Sequence, residues 1–241
     1  MNPPLDALWV YLAASPLFGL TLTLLAYQMA LWLYHRAGAN PLLNPVLIAI
    51  AILALVLTLT ATDYASYFAG AQFVHFLLGP ATVALAVPLY HQIRRVRALL
   101  LPVIAGLLAG SVTAIVSAVL IARWFGASAA TQLSLAPKSV TTPIAMGISE
   151  QIGGIPSLTA VIVIITGIVG AVGARYLFAA MKLRDPAIRG FAIGLAAHGI
   201  GTARAFQVNE QSGAFAALAM GLNGALTALL VPLLAGWLVP G

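Results

Sequence analysis

Most of the polar chemistry in this chain is concentrated in a few short stretches. The first is Ala136-Pro137-Lys138-Ser139-Val140-Thr141-Thr142-Pro143, which supplies one cation, three hydroxyls and free backbone amides, with Pro143 placed to open a half-helix. Unsatisfied amides at a helix N-terminus, reinforced by hydroxyl donors, make an anion site. The plainer alternative is a surface turn capped by Thr142, with Lys138 in water.

A second stretch is Ala196-Ala197-His198-Gly199-Ile200-Gly201-Thr202-Ala203-Arg204, followed by Asn209 and Glu210. Gly199 and Gly201 are expected to unwind the backbone around His198 and Thr202. Arg204 offers the planar fork that binds a carboxylate through two parallel hydrogen bonds. The alternative has Arg204 reaching to lipid headgroups and His198 bonded between helices. The third stretch, Gly70 to Thr82, holds His75 and a Gly79-Pro80 break but no cation, so it is expected to contribute backbone groups and helix ends.

These stretches are embedded in apolar sequence. The chain has 241 residues, 62% hydrophobic and 7% charged, with a mean hydropathy of +1.04. No soluble core hides that much apolar surface. Uncharged runs at 8–34, 41–62, 98–122, 152–174 and 213–237 reach the roughly 20 residues of a spanning helix. Their unbroken character excludes the alternating short segments of a barrel. The expected fold class is all-α, a polytopic transmembrane bundle.

Inside such a bundle a charge is costly, so ionisable residues are functional candidates. Glu150, Glu210 and His198 are the candidates for a coupling proton, although either acid could instead pair with a cation such as Lys138 or Arg204. Asp63 is a further acid. With no cysteine, no metal-ligand spacing, no nucleotide fingerprint and no Ser-His-Asp arrangement, the pattern points away from an enzyme, a metal and any cofactor. The net charge of +6 sits in short loops, which fits a membrane better than nucleic acid. The loops at 94–97 and 182–189 are expected to face the cytoplasm. The start of the chain lacks a positive n-region, so its first apolar run is expected to be a retained helix.

The halves match at an offset of 115 residues: Gly38 with Gly153, Pro41 with Pro156, Leu43 with Leu158, Val46 with Val161, Gly79 with Gly194, Gly106 with Gly221 and Gly126 with Gly241. The basic loops fall after the third element of the first half and before that of the second, the mark of an inverted repeat. One transmembrane domain, 1–241, is thus read as repeats 1–126 and 127–241. Each holds an opening element (16–36, 131–151), a plain helix (41–62, 156–181), an interrupted element (64–92, 188–208) and a second plain helix (98–124, 213–239). The octet is expected to form the tip of a re-entrant hairpin, leaving three crossings in the second half. Residues 16–36 are left open between a crossing and a re-entrant segment.

The stretch 135–145, the stretch Gly190-Phe191-Ala192-Ile193-Gly194-Leu195 running on to Ala205, and Gly221-Leu222-Asn223-Gly224 resemble the LrgB/CidB family of membrane proteins. The resemblance implies two functional traditions. Bacterial members are described as holin- or antiholin-like modulators of murein hydrolase activity and autolysis, beside a small LrgA/CidA partner. Plastid members are described as glycolate/glycerate translocators. On the second tradition, the expectation is a proton-coupled, elevator-like carrier of small hydroxycarboxylates in a bacterial inner membrane, acting as a homodimer. Arg204 and Lys138 would meet the carboxylate, and Ser139, Thr141, Thr142 or Asn223 the hydroxyl.

Overall fold

Asn44, Ser128, Asp185 and Asn209 each turn a side-chain oxygen onto the first amides of a following helix, supplying acceptors that the helix itself lacks. The computed structural model describes residues 16–38, 43–77, 80 and 83–239, and every regular element among them is a helix. The chain forms two compact units, 1–84 and 85–241.

In the first unit, α1 (Pro16–Arg36) is one continuous helix, long and apolar enough to cross a membrane. It packs on α2 (Pro45–Leu59) and α3 (Tyr64–Phe76). The Thr23 hydroxyl meets the Tyr67 phenol at 2.7 Å, and Gly19 lets α1 approach the α3 backbone at Tyr67 and Ala71. With 15 residues, α2 is shorter than the crossing helix expected over 41–62. Asp63 accepts hydrogen bonds from the Ser66 amide and hydroxyl at the start of α3, which hold its carboxyl below the usual range. Gly79 of the expected Gly79-Pro80 break lies outside the described residues, as do residues 1–15.

The second unit runs through α4 (Ala86–His91), α5 (Ile93–Ala98), α6 (Leu100–Trp124), α7 (Ala129–Leu135), α8 (Thr142–Gln151), α9 (Pro156–Ala180), α10 (Pro186–Val208) and α11 (Glu210–Leu238). Three of these, α6, α9 and α11, are long and apolar enough to span, at about 37 Å or more each. Arg95 bonds Asp185 at 2.5 Å and Gln211 bonds Gln92 at 3.2 Å. The two basic loops therefore share one face of this unit, with the start of α11. On the opposite face Arg123 donates to the Leu238 carbonyl, joining the ends of α6 and α11.

The octet is a hairpin tip, as expected. Seven-residue α7 and ten-residue α8 flank the loop 136–141, and neither is long enough to cross. The structure corrects the next expectation. A straight helix of 23 residues would place its ends about 34 Å apart, yet Ser212, just past the end of α10, donates to the Pro186 carbonyl at its start at 2.9 Å. Helix α10 therefore folds back on itself. Its arms, 186–197 and 199–208, enter and leave by the Arg95 face, so this segment returns where a crossing was expected.

The reversal sits at His198 itself, with φ 42° and ψ −133°; Gly199 and Gly201 continue the helix after it. A side chain in that region strains the backbone by about 1–3 kcal/mol, which the packing of both arms must offset. Gly201 makes the close return possible, since a Cβ there would lie 2.8 Å from the Ile193 carbonyl oxygen. Gly190 and Gly194 bring the first arm against α11, where a Cβ would stand 2.1 Å from the Ser212 and Ala216 oxygens respectively. The fold is an all-helical bundle in which two re-entrant hairpins enter the 85–241 unit from opposite faces.

Candidate functional site

The hairpin tips meet at mid-depth. Asn223, near the middle of α11 and 1% exposed, donates through Nδ2 to the Ser139 carbonyl of one tip and the Leu195 carbonyl beside the other, each at 3.1 Å. Its Oδ1 accepts from Ser111 of α6 at 2.6 Å and from Thr227 at 3.3 Å. A side-chain amide has two N–H donors and two acceptor lone pairs, so Asn223 is fully engaged in joining the tips. The sequence suggests a substrate hydroxyl as its partner, but the structure leaves it no donor or acceptor to spare. Leu195 lies four residues before Gly199, and the turn at His198 frees its carbonyl for this outside donor.

The His198 ring is buried, with Nε2 2.9 Å from the Val163 carbonyl of α9. A carbonyl only accepts, so Nε2 carries the hydrogen and Nδ1 is the acceptor of the neutral ring. Gly167 makes room for it: a Cβ there would lie 2.8 Å from the ring. Thr202 donates to the His198 carbonyl at 2.8 Å, which ties the return arm to the turn. Val140, Ala145 and Val163 pack together under the first tip.

Lys138 is half-buried and its Nζ lies 3.3 Å from Ser139 Oγ. Thr141, not Thr142, occupies the N-cap of α8, and its side chain caps no amide. Both threonines are half-buried. The structure thus gathers Lys138, Ser139, Thr141, Thr142, His198, Gly199, Gly201 and Thr202 around the two tips. This is one cation, hydroxyls and the start of a helix at the middle of the bundle, an arrangement suited to a small anion.

Arg204 is not with them. The return arm carries it back toward the Arg95 face, where it bonds Gln207 at 3.1 Å and lines a cavity with Arg175 and Arg189. Glu150 is exposed at the end of α8, and Glu210 is exposed with a carboxylate oxygen 3.7 Å from His91 Nδ1. Of the three proton candidates only His198 lies between the tips. Among the described salt bridges Glu210 faces His91, and Glu150 does not pair with Lys138.

Sequence reasoning missed the polar supports of the first hairpin. Thr159 of α9 directs its hydroxyl at the Ser134 carbonyl and Ser149 Oγ, at 3.0 and 2.8 Å, and Ser134 Oγ accepts from the Ile155 amide at 2.7 Å. Ser111 on α6 was missed too. The available signal was a lone hydroxyl in an apolar helix, which finds its partner only once the fold is known.

Residues 23–237 match the LrgB-like family. The chain belongs to that family. Similar proteins include uncharacterized protein YwbG of Bacillus subtilis, 37% identical over 89% of this chain and 95% of its own length. The antiholin-like protein LrgB of Bacillus mycoides is 31% identical, and its namesake in Bacillus cereus strain B4264 is 30% identical, each over 91% of this chain and 95% of the relative. No solved structure matches. With its spanning helices, this LrgB-like chain is a membrane protein.

Proposed function

We propose that this LrgB-like protein is a secondary carrier of small monocarboxylates, hydroxy acids of the glycolate and glycerate kind, working by alternating access in a bacterial inner membrane. One observation carries the reading: two re-entrant hairpins from opposite faces meet at mid-depth, where Asn223 joins the Ser139 carbonyl of one to the Leu195 carbonyl of the other, with Lys138 at the first tip and His198 at the second. A nonspecific lesion has no use for strained backbone and a half-buried cation at the centre of a bundle. A carrier needs a midpoint site closed alternately from each side, and mobile hairpins with polar tips supply it.

In this reading the carboxylate meets Lys138 and the α8 N-terminus, and the hydroxyl meets Ser139, Thr141 or Thr142. His198 carries a coupling proton on Nδ1. The plain helices form a homodimer scaffold, the repeats 1–126 and 127–241 underlie the exchange of access, and a small LrgA/CidA-like membrane protein is a candidate partner.

The test is uptake of labelled glycolate and glycerate into proteoliposomes. Uptake is expected to saturate, to change with an imposed pH gradient, and to fall at least about tenfold in Lys138→Gln. That is the loss expected when one charged hydrogen bond goes, about 1.5–3 kcal/mol. Unchanged uptake in Lys138→Gln removes the tips from the mechanism.

The relatives named antiholin-like at 30–31% identity favour a second reading, a modulator of murein hydrolase activity and autolysis. It predicts no saturable uptake, and an autolysis phenotype indifferent to Lys138→Gln.

A further inference from the structure

A groove of about 610 Å³ lies between the start of α6 and the first arm of α10. Its α6 wall runs from Leu99 to Gly110 and its α10 wall from Ala187 to Leu195, and every residue lining it is apolar or glycine. Two glycines of α6 bring the walls together at the floor. An added Cβ would lie 3.4 Å from the Phe191 ring at Gly106 and 2.9 Å from the Leu195 side chain at Gly110. The mouth is fixed by the Arg95–Asp185 pair, four residues before Leu99 and two before Ala187. Arg94, Arg97 and Arg184, neighbours of that pair in the chain, are exposed. The loops 94–97 and 182–189 hold six cations and one acid, so the mouth keeps a net positive charge after Asp185 is paired.

We infer that this groove seats one acyl chain of an anionic phospholipid, with the headgroup phosphate among the basic loops. Water does not fill it, because a bound water needs two to four polar partners and no polar side chain lines the walls. Left empty, it would forfeit dispersion contacts along both walls. The occupant is therefore apolar. Its length is set by the α6 wall, about 16 Å from Leu99 to Gly110, against about 15 Å for one leaflet's share of the hydrocarbon core. A chain entering from the basic-loop leaflet ends where the groove ends. A protein helix about 10 Å across and of that length takes up about 1,300 Å³, twice the groove, so it would rest on the rim without filling it. Charge then selects the headgroup, since basic residues beside a spanning helix attract anionic lipids. The deep end of the groove is Leu195, whose carbonyl Asn223 holds, so the bound chain braces the first arm of the second hairpin.

The experiment uses the full chain, purified in neutral detergent and stripped of lipid. Thermal unfolding is followed with phosphatidylglycerol, with phosphatidylcholine of the same chains, or with glycerol 3-phosphate, which carries the phosphate without the chains. Phosphatidylglycerol at ten times its dissociation constant is expected to raise the Tm by about 4 °C. Phosphatidylcholine should give less than about half of that rise, and glycerol 3-phosphate none. Ala192→Phe, which fills the groove from an exposed position, should lose the phosphatidylglycerol shift. Arg97→Gln/Arg184→Gln should lower it to the phosphatidylcholine level, and Arg175→Gln, a cation lining a different cavity, should keep it. Equal shifts with the two lipids, a full shift with glycerol 3-phosphate, or a full shift in Ala192→Phe each overturn the inference. So does a dimer by light scattering that becomes a monomer in Ala192→Phe, which would give the groove to a second copy of the chain. Should Ala192→Phe fail to fold, Ile188→Trp, also exposed in the α10 wall, decides the matter by the same loss or retention of the shift. Carboxylate uptake does not enter this readout, so the carrier reading stands or falls separately.

Discussion

The two re-entrant hairpins of the 85–241 unit reverse by different means. The first turns through the loop 136–141, between helices of seven and ten residues, and Pro137 and Pro143 flank that reversal. The second turns at one residue, His198, inside a segment that is otherwise helical from Pro186 to Val208. A loop supplies free amides and hydroxyls at its tip. A one-residue turn supplies almost none, and is held by what packs around it: Asn223 on the Leu195 carbonyl, Val163 on the ring, Thr202 on the His198 carbonyl. Substrate contacts are therefore expected at the first tip, and at the second positional constraint around the one ring, His198, to which the carrier reading gives the proton.

The largest test of this contrast is all-or-none. The chain has no cysteine, so single cysteines can be introduced directly. Arg184→Cys and Val208→Cys, before and at the end of the second hairpin, should react with an impermeant maleimide from the same side of the membrane, and Gln151→Cys, at the end of α8, from the other. Labelling of positions 184 and 208 from opposite sides would make α10 a crossing helix and abolish the comparison.

That difference also explains what can be read from the residues. The first hairpin is legible because two prolines and a run of hydroxyls cannot continue a helix in lipid. The second is half legible. The segment around His198 stands out as polar, yet its 23 residues have the length of a crossing, and nothing in a histidine announces a positive φ. Gly199 and Gly201 draw attention to themselves, but neither makes the turn, and only Gly201 is needed for the close return of the second arm. The sequence consequently points Arg204 at the centre, one fold-back away from where it lies. Asn223 stands out as polar, though its use as a clamp between tips depends on Ser111, Leu195 and Ser139, which only the fold brings together.

Glycine substitutions should separate the hairpins next. In Gly194→Val the new side chain meets the α11 backbone, with Cβ 2.1 Å from the Ala216 oxygen. Backbone cannot yield as a side chain does, so a loss of about 3 kcal/mol, or failure to accumulate, is expected. Gly147→Ala, in α8 of the first hairpin, has nothing within 4 Å of the added Cβ. It should leave stability unchanged or raise it by up to about 1 kcal/mol. Equal losses in thermal unfolding would mean that both hairpins are held alike.

Asn223→Ala should release both tips at once. The Ser139 and Leu195 carbonyls lose their donor and Ser111 its acceptor, a cost of about 2 kcal/mol for buried groups left unpaired. Hydrogen exchange should then quicken in both 136–141 and the residues about His198. Quickening in one hairpin alone would show that Asn223 holds a single tip.

The finest test compares two threonines. Thr202→Val removes the bond to the His198 carbonyl from a site 3% exposed, and should cost about 1 kcal/mol with a near-isosteric side chain. Thr141→Val removes a hydroxyl that caps no amide of α8, so the fold should barely register it. Under the carrier reading the ranking reverses for transport. Thr141 sits at the tip that presents hydroxyls to the substrate, so its loss should raise the KM for glycolate, while Thr202→Val should change the Tm more than the KM. If Thr141→Val destabilises the protein as much as Thr202→Val and leaves the KM alone, the first tip is as structural as the second, and a division of labour between the hairpins is wrong.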